Sequence, residues 1–503
     1  MDEITDQSWA AAPDPFNLAQ YILQAGSTQV DKEALCILYP DRVDVWTYGA
    51  LIAAVRGAAA GLMDHDLQPG DRVLLRLGNT PDFPIAYLGA LAAGLVPVPT
   101  SAALTAPEVA KVIRITAPRA ILHDPAVACP DAENVIRLSM LQAMRSNPLA
   151  PWHMGSPDRP GYIIFTSGTS GHPTAVVHAH RAIWARRMMF EGWYGLRADD
   201  RVLHAGAFNW TYTLGTGLMD PWTKGATALI PAPGVRSQDL PELIAAHAVS
   251  IFAAAPGVYR QMLSAHQNIP STHLRHGLSA GEKLSQALVT QWEAATGTSI
   301  YEAFGMSECS TFISGSPTQP APVGTLGQPQ PGRRVAILGA SGPLPAETPG
   351  TIAIHRSDPG LMLGYLDAPE QTAQKYQGDW FLTGDQGVMD PEGYVTYLGR
   401  SDDMMNAGGF RVSPLEVEAV LSQAPGVSGV AVTEVSVRAG VSVIAAFYTA
   451  VAPLDEADLK DYVSSRLARY RQPRVYVHCK TLPTGNNGKL LRRVLRENYE
   501  GST

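Results

Sequence analysis

Short apolar runs ending in small or turn residues alternate with stretches of helical spacing along roughly the first 400 residues. "DRVLLRLGN" (71–79) predicts a strand, and "FPIAYLGALAAGLVPVP" (83–99) predicts a buried helix leading into a buried strand. "YIIFTS" (162–167), "SIFAAAP" (250–256) and "SIYEAFG" (299–305) predict further strands, and "GVYRQMLSAH" (257–266) a helix after one of them. This rhythm predicts an α/β fold with largely parallel, buried sheets. From about 324 to 400 the helical patterns thin out, and Gly and Pro punctuate "VGTLGQPQPGRRVAIL", "PGTIAIH" and "PEGYVTYLG", which predicts a β-rich subdomain. The polar stretch "GRSDDMMNAGGF" (399–410) marks a boundary, dividing the chain into domains over 1–400 and 401–503. The second opens on a predicted helix with Ser413 as cap, Pro414 in the first turn and Glu416 completing a capping box.

Composition narrows the partners. A formal charge of -8 argues against a basic nucleic-acid surface. The cysteines Cys36, Cys129, Cys309 and Cys479 form no close pair, so a reducing, cytoplasmic compartment is expected and a disulfide framework is not. The apolar stretch at 83–99 is broken by Pro84, Gly89, Gly94 and Pro97 and is too short for a membrane span. The acidic start "MDEITDQSWAAAPDPF" lacks the apolar core of a signal peptide.

The densest chemical signal is "YIIFTSGTSGHPTAVVHAH" (162–180). It reads as a strand, a loop of hydroxyls and glycines, and a helix. Thr166, Ser167, Gly168, Thr169, Ser170 and Gly171 would bring hydroxyls and unhindered backbone N–H groups to a phosphate. The loop is not a Walker A motif, "GNNGKLL" (485–491) has the wrong spacing for one, and no G-x-G-x-x-G fingerprint occurs.

Seven ordered segments resemble those of the adenylate-forming superfamily, which includes acyl- and aryl-CoA synthetases. After the phosphate loop come "SAGEKL" (279–284), "YEAFGMSE" (301–308), "VGTLGQPQPG" (323–332), "WFLTGDQG" (380–387), "GRSDDMMNAGGFRVSPLEVE" (399–418) and "LPTGNNGKLLRR" (482–493). The resemblance implies a large N-terminal domain of doubly wound sheets with a β-rich subdomain, and a small mobile α+β C-terminal lid. It also implies ATP, Mg²⁺ and coenzyme A as reactants. A carboxylic acid is activated as its adenylate with release of pyrophosphate, and a thiol then attacks the acyl carbon.

The resemblance assigns roles residue by residue. Glu308 would hold Mg²⁺ with Thr166 nearby, as suits a hard oxygen ligand. Gly281, Glu282, Phe304, Gly305 and Ser307 would surround the adenylate, with Phe304 stacked on adenine. Asp385 would accept from the ribose hydroxyls, and Arg400 would reach the ribose or phosphate. Asp402 would be the hinge of the lid, and Gly408 and Gly409 would line the channel for the CoA arm. Lys489 is the expected catalytic cation.

Two features depart from the family pattern or vary within it. The phosphate loop continues Pro173-Thr174-Ala175 where Pro-Lys-Gly is usual; His172, His178 and Arg181 are the nearby residues that could replace the charge. The acyl-pocket segment "HAGAFNWTYTLGTGL" (204–218) resembles benzoate-CoA ligases and medium-chain acyl-CoA synthetases. Phe208, Asn209, Trp210 and Tyr212, with Ala303 and Gly281, would build bulky walls around a compact aryl, alicyclic or short-to-medium acyl group. Loading of a separate carrier protein and nucleotide binding without turnover are the alternatives, and a homodimer is left open.

Overall fold

The computed structural model describes residues 11–166, 174–270, 272–401, 403–407, 410–438, 441–484 and 490–501. The chain divides into two compact units, residues 1–334 with 355–381, and residues 335–354 with 382–503.

The first unit is built on a nine-stranded sheet. Its six inner strands run parallel in the order Ile300–Met306, His276–Ala280, Ile251–Ala254, Arg201–Ala205, Thr227–Pro231, Glu33–Leu38. Antiparallel strands close both edges, Ser310–Ser314 and Gln328–Pro329 on one side and Val43–Thr47 on the other. All four residues of Ile251–Ala254 are buried, as a strand covered on both faces requires. The helix that follows, Pro256–Ala265, starts on a proline whose missing N–H costs nothing at that position. A second, all-parallel sheet has the order Val96–Pro99, Arg72–Arg76, Ala120–His123, Val135–Arg137. Val96–Pro99 carries two prolines and occupies an edge, where a missing donor is tolerated. The helix Asp82–Ala92 before it is buried along its whole length.

The hairpin that frames the phosphate loop differs from expectation. Residues Thr174–Ala179 form a strand, not a helix, paired antiparallel with Pro160–Thr166 and with Thr166 opposite Thr174. The β-branched pair Val176-Val177 suits the pleated surface, and Gly364–Tyr365 pairs along its other edge. The helix N-terminus expected after residues 167–173 is therefore replaced by a strand. Residues Ser167 to Gly171, with His172, lie outside the described residues.

In the second unit Val335–Gly339 pairs antiparallel with Gly350–His355, and Trp380–Met389 with Val395–Arg400. Further along, Gly429–Arg438, Val441–Thr449 and Val475–His478 form a sheet whose faces alternate. Ile444, Ala446 and Tyr448 join one core with Val417, Leu421, Leu459 and Val463. Ala445 and Phe447 join another with Leu495. Helices therefore cover both faces, as period-two burial predicts. The helix Pro414–Leu421 starts where expected, with Pro414 in its first turn, but the capping box does not form. The Ser413 hydroxyl donates instead to the Leu398 carbonyl, and Glu416 pairs with Arg471 at 3.4 Å.

Candidate active site

In the first unit the chemistry collects around the hairpin and the strand Ile300–Met306. Gly305 sits at an irregular step of the ladder, so close to the Ser310 carbonyl that no Cβ would fit. That close approach turns the chain into Ser307 and Glu308. Glu308 is buried, and its Oε1 accepts a hydrogen bond from the Tyr365 hydroxyl at 2.8 Å. Among the described residues its second oxygen has no protein donor. Tyr365 lies opposite Val176, and His178 of the same strand bonds the Ser307 carbonyl at 2.7 Å through Nε2. The strand Thr174–Ala179 thus ties the hairpin around residues 167–173 to the Glu308 turn. Phe304 is half-buried and stands edge-on to Phe312 at 5.3 Å.

The missing lysine is not replaced by two of the three nearby candidates. Burial lowers the His178 imidazole to about 4, so it is neutral at physiological pH. Arg181 donates to Asp158 at 2.5 Å and to the Pro359 carbonyl.

The segment 279–284 is held by a residue that sequence reasoning passed over. Glu302 Oε1 accepts from the Leu284 N–H at 2.9 Å, fixing the end of that segment to the neighbouring strand. Burial pushes the Glu302 carboxyl up to about 7. Gly281 has φ +94, and a Cβ there would lie 2.8 Å from the Trp210 ring. Glu282 is half-buried on the same loop.

Trp210, Tyr212 and Ala303 share one apolar cluster with Trp193, Tyr194 and Ala280. Trp210 meets Tyr212 edge-on at 5.5 Å, and the Tyr212 hydroxyl donates to the Leu278 carbonyl at 3.0 Å. Asn209 is half-buried. Phe208 is fully buried and packs against Phe83 at 5.7 Å beneath the segment. A buried network supports the helical part of the segment from below. Arg186 donates to both oxygens of Asp220 at 2.8 and 2.6 Å and to Ser310 Oγ, and Tyr194 donates to Asp220 at 2.7 Å. Arginine and aspartate far apart in sequence carry no local signal of such a pairing.

In the second unit Asp385 lies opposite Arg400 across the ladder. Its Oδ1 accepts from the Tyr397 hydroxyl at 3.0 Å and its Oδ2 from Arg400 Nη1 at 3.3 Å. Burial and the Asp385 charge push the Tyr397 phenol well above its ordinary value, so it remains a donor. Gly384 has φ +81, which turns the chain so that Asp385 enters this pairing. Asp402, Gly408, Gly409 and Lys489 lie outside the described residues.

Among the described residues no three His, Cys, Asp or Glu side chains cluster as a metal cage. Mg²⁺ bound through one carboxylate and substrate phosphates needs none, and Glu308 with its free oxygen fits that mode.

These features coincide with a known family. The AMP-binding enzyme model matches residues 23–366, and the AMP-binding enzyme C-terminal domain model matches residues 416–489. The chain belongs to the AMP-binding enzyme family. It is 30% identical to a benzoate–CoA ligase of Thauera aromatica, over 91% of this chain and 92% of that one. It is 29% identical to human mitochondrial acyl-coenzyme A synthetase ACSM2A, over 86% and 80%. The crystal structure of a benzoate CoA ligase from Burkholderia xenovorans LB400 superposes with a TM-score of 0.84 at 28% identity, covering 96% of this chain and all of that one. Among the described residues no helix is long and apolar enough to cross a membrane.

Proposed function

We propose that this chain is an ATP-dependent carboxylate–CoA ligase. It joins a compact aryl, alicyclic or short-to-medium-chain acid to CoA through an acyl-adenylate, releasing AMP and pyrophosphate. The observation that carries the reading is Glu308, a buried carboxylate with one oxygen held by Tyr365 and the other without a protein donor among the described residues. A buried carboxylate is costly without a counter-ion, and Mg²⁺ with a nucleotide meets that need.

Bound Mg-ATP would supply an electrophilic α-phosphorus and a pyrophosphate leaving group. Glu308 would hold the ion, with Thr166 at the end of the hairpin strand beside the loop. Phe304 and the Gly281–Glu282 turn would bound the adenine. Asp385 would orient the ribose while Tyr397 and Arg400 fix its carboxylate. Lys489 would neutralise charge between the carboxylate and the α-phosphate, where preorganised cations act most strongly. Residues 401–503 would swing as the lid about Asp402, and Gly408 and Gly409 would then pass the CoA thiol. The aromatic wall around Trp210 and Tyr212 favours a short, bulky acid over a long chain. The expected setting is cytoplasmic, with free CoA as the thiol.

A panel of acids from acetate to octanoate, with benzoate, cinnamate and cyclohexanecarboxylate, tests the reading by mass detection of the CoA thioester. Thioester from at least one compact acid is expected. Thr174, with His178 neutral and Arg181 engaged, favours a second reading of nucleotide binding without turnover. ATP binding without thioester from any acid would select it.

A further inference from the structure

The acyl segment buries two polar side chains that have no work to do within the protein. His204 is fully buried, and neither ring nitrogen has a partner. Thr213 is fully buried, and its Oγ1 has none either. Both converge on one point. A methyl group placed on Gly206 would collide with Thr213 Oγ1 and lie 3.2 Å from His204 Nδ1. Each such orphaned group carries an uncompensated desolvation cost, so a pair meeting at one place calls for an explanation.

Their position in the sheet supplies it. His204 aligns with Ala253, Leu278 and Tyr301 across the parallel strands. Ala280 and Ala303 pair two residues further along the same face. Two strand residues span roughly 7 Å, so His204 lies one layer below the two alanines, and as the penultimate residue of Arg201–Ala205 it stands near the C-terminal strand ends where open α/β sheets bind their ligands. Tyr212 meets the His204 ring edge-on at 4.4 Å and links it to Trp210. Thr213 opens a π-helical turn, Thr213–Met219, an uncommon winding that often marks a functional site.

We propose that His204 and Thr213 form the polar floor of the acyl pocket and select an acid that carries a hydroxyl or amino group distal to its carboxylate. This rests on the ligase reading above. Thr213 can donate or accept, and burial lowers His204 to about 3, so its neutral ring offers one donor and one acceptor. An uncharged hydroxyl or amine satisfies such a pair. A second carboxylate would gain little from Arg186, whose guanidinium is committed to Asp220. A site built to bond a substrate hydroxyl rejects the analogue that lacks it, since its own buried groups are then left unpaired.

The test compares isosteric acids by acid-dependent pyrophosphate release: 3- and 4-hydroxybenzoate and 3- and 4-aminobenzoate against 3- and 4-methylbenzoate, with 4-hydroxy- against 4-methylcyclohexanecarboxylate. The polar member of at least one pair is expected to win in kcat/KM by about tenfold or more. In Thr213→Val and in His204→Leu that ratio should fall to about threefold or less. A ratio is independent of the folded fraction of each preparation, so partial misfolding does not mimic the result. Equal use of methyl and polar acids by the unaltered protein, or a preference that survives both substitutions, overturns the polar floor while leaving the ligase intact. Silence from every acid overturns the ligase reading and this inference with it.

Discussion

The Tyr365 hydroxyl donates to Glu308 Oε1 at 2.8 Å, so that one oxygen of the carboxylate is fixed while the other stays available. The two residues come from distant parts of the chain, joined by the strand Thr174–Ala179. Tyr365→Phe should leave the carboxylate in place but loosely aimed. A hydrogen bond to a charged group is worth about 1.5–3 kcal/mol. The Mg²⁺ concentration for half-maximal pyrophosphate release should therefore rise by about tenfold or more. An unchanged Mg²⁺ requirement would contradict a role for Tyr365 in aiming Glu308 at the proposed ion.

Thr174 starts the strand that leaves the phosphate loop, opposite Thr166. With His178 neutral and Arg181 engaged, neither puts a free charge there. Thr174→Lys should raise kcat/KM for ATP by roughly tenfold to a hundredfold, the worth of one charge-assisted contact. No gain would mean that the leaving phosphates are already balanced by another group.

Four histidines of the first unit are held neutral by burial. His178 and His276 are lowered to about 4, and His180 and His204 to about 3. An unfolded histidine titrates near 6.5, so below that pH the unfolded chain binds more protons than the folded one. Stability is fully present above about 6.5 and falls as pH drops toward 4 and 3. At pH 5 each histidine should cost about 2 kcal/mol, from 1.36 kcal/mol per pH unit. The melting temperature should therefore fall steadily from pH 7 to 5, and His276→Gln should flatten that slope.

In the second unit Glu418 accepts two bonds of 2.7 Å from Arg492 and one of 2.7 Å from the Val432 N–H. It ties the helices Pro414–Leu421 and Arg492–Glu500 to the sheet between them. Glu418→Gln should weaken this junction by about 1.5–3 kcal/mol. Amide exchange in both helices should accelerate by roughly tenfold to a hundredfold, while exchange in residues 251–306 stays as it was.

Much of the fold was legible because its signals are local. The apolar runs at 71–79, 83–99 and 250–256 became the strands and helices they predicted. The strand after residues 167–173 was misread as a helix because "TAVVHA" is placed by pairing on both edges, with Pro160–Thr166 across the hairpin and with the distant Gly364–Tyr365, and no local helical signal decides it. Ser413 illustrates the same limit, since its hydroxyl found Leu398 before its own helix. Glu308 and Asp385, each in its own unit, stood inside recognisable segments. Their holders Tyr365 and Tyr397, and the clamp of Glu302 on Leu284, depend on strand register that no single segment displays.

The central claim is that this chain couples ATP cleavage to acid activation. The most direct measurement follows pyrophosphate, AMP and acyl-CoA together in one reaction containing ATP, Mg²⁺, CoA and a compact aryl acid. Equal amounts of the three, with pyrophosphate absent when the acid is omitted, are the predicted result. Pyrophosphate release that ignores the acid, or ADP in place of AMP, would contradict it.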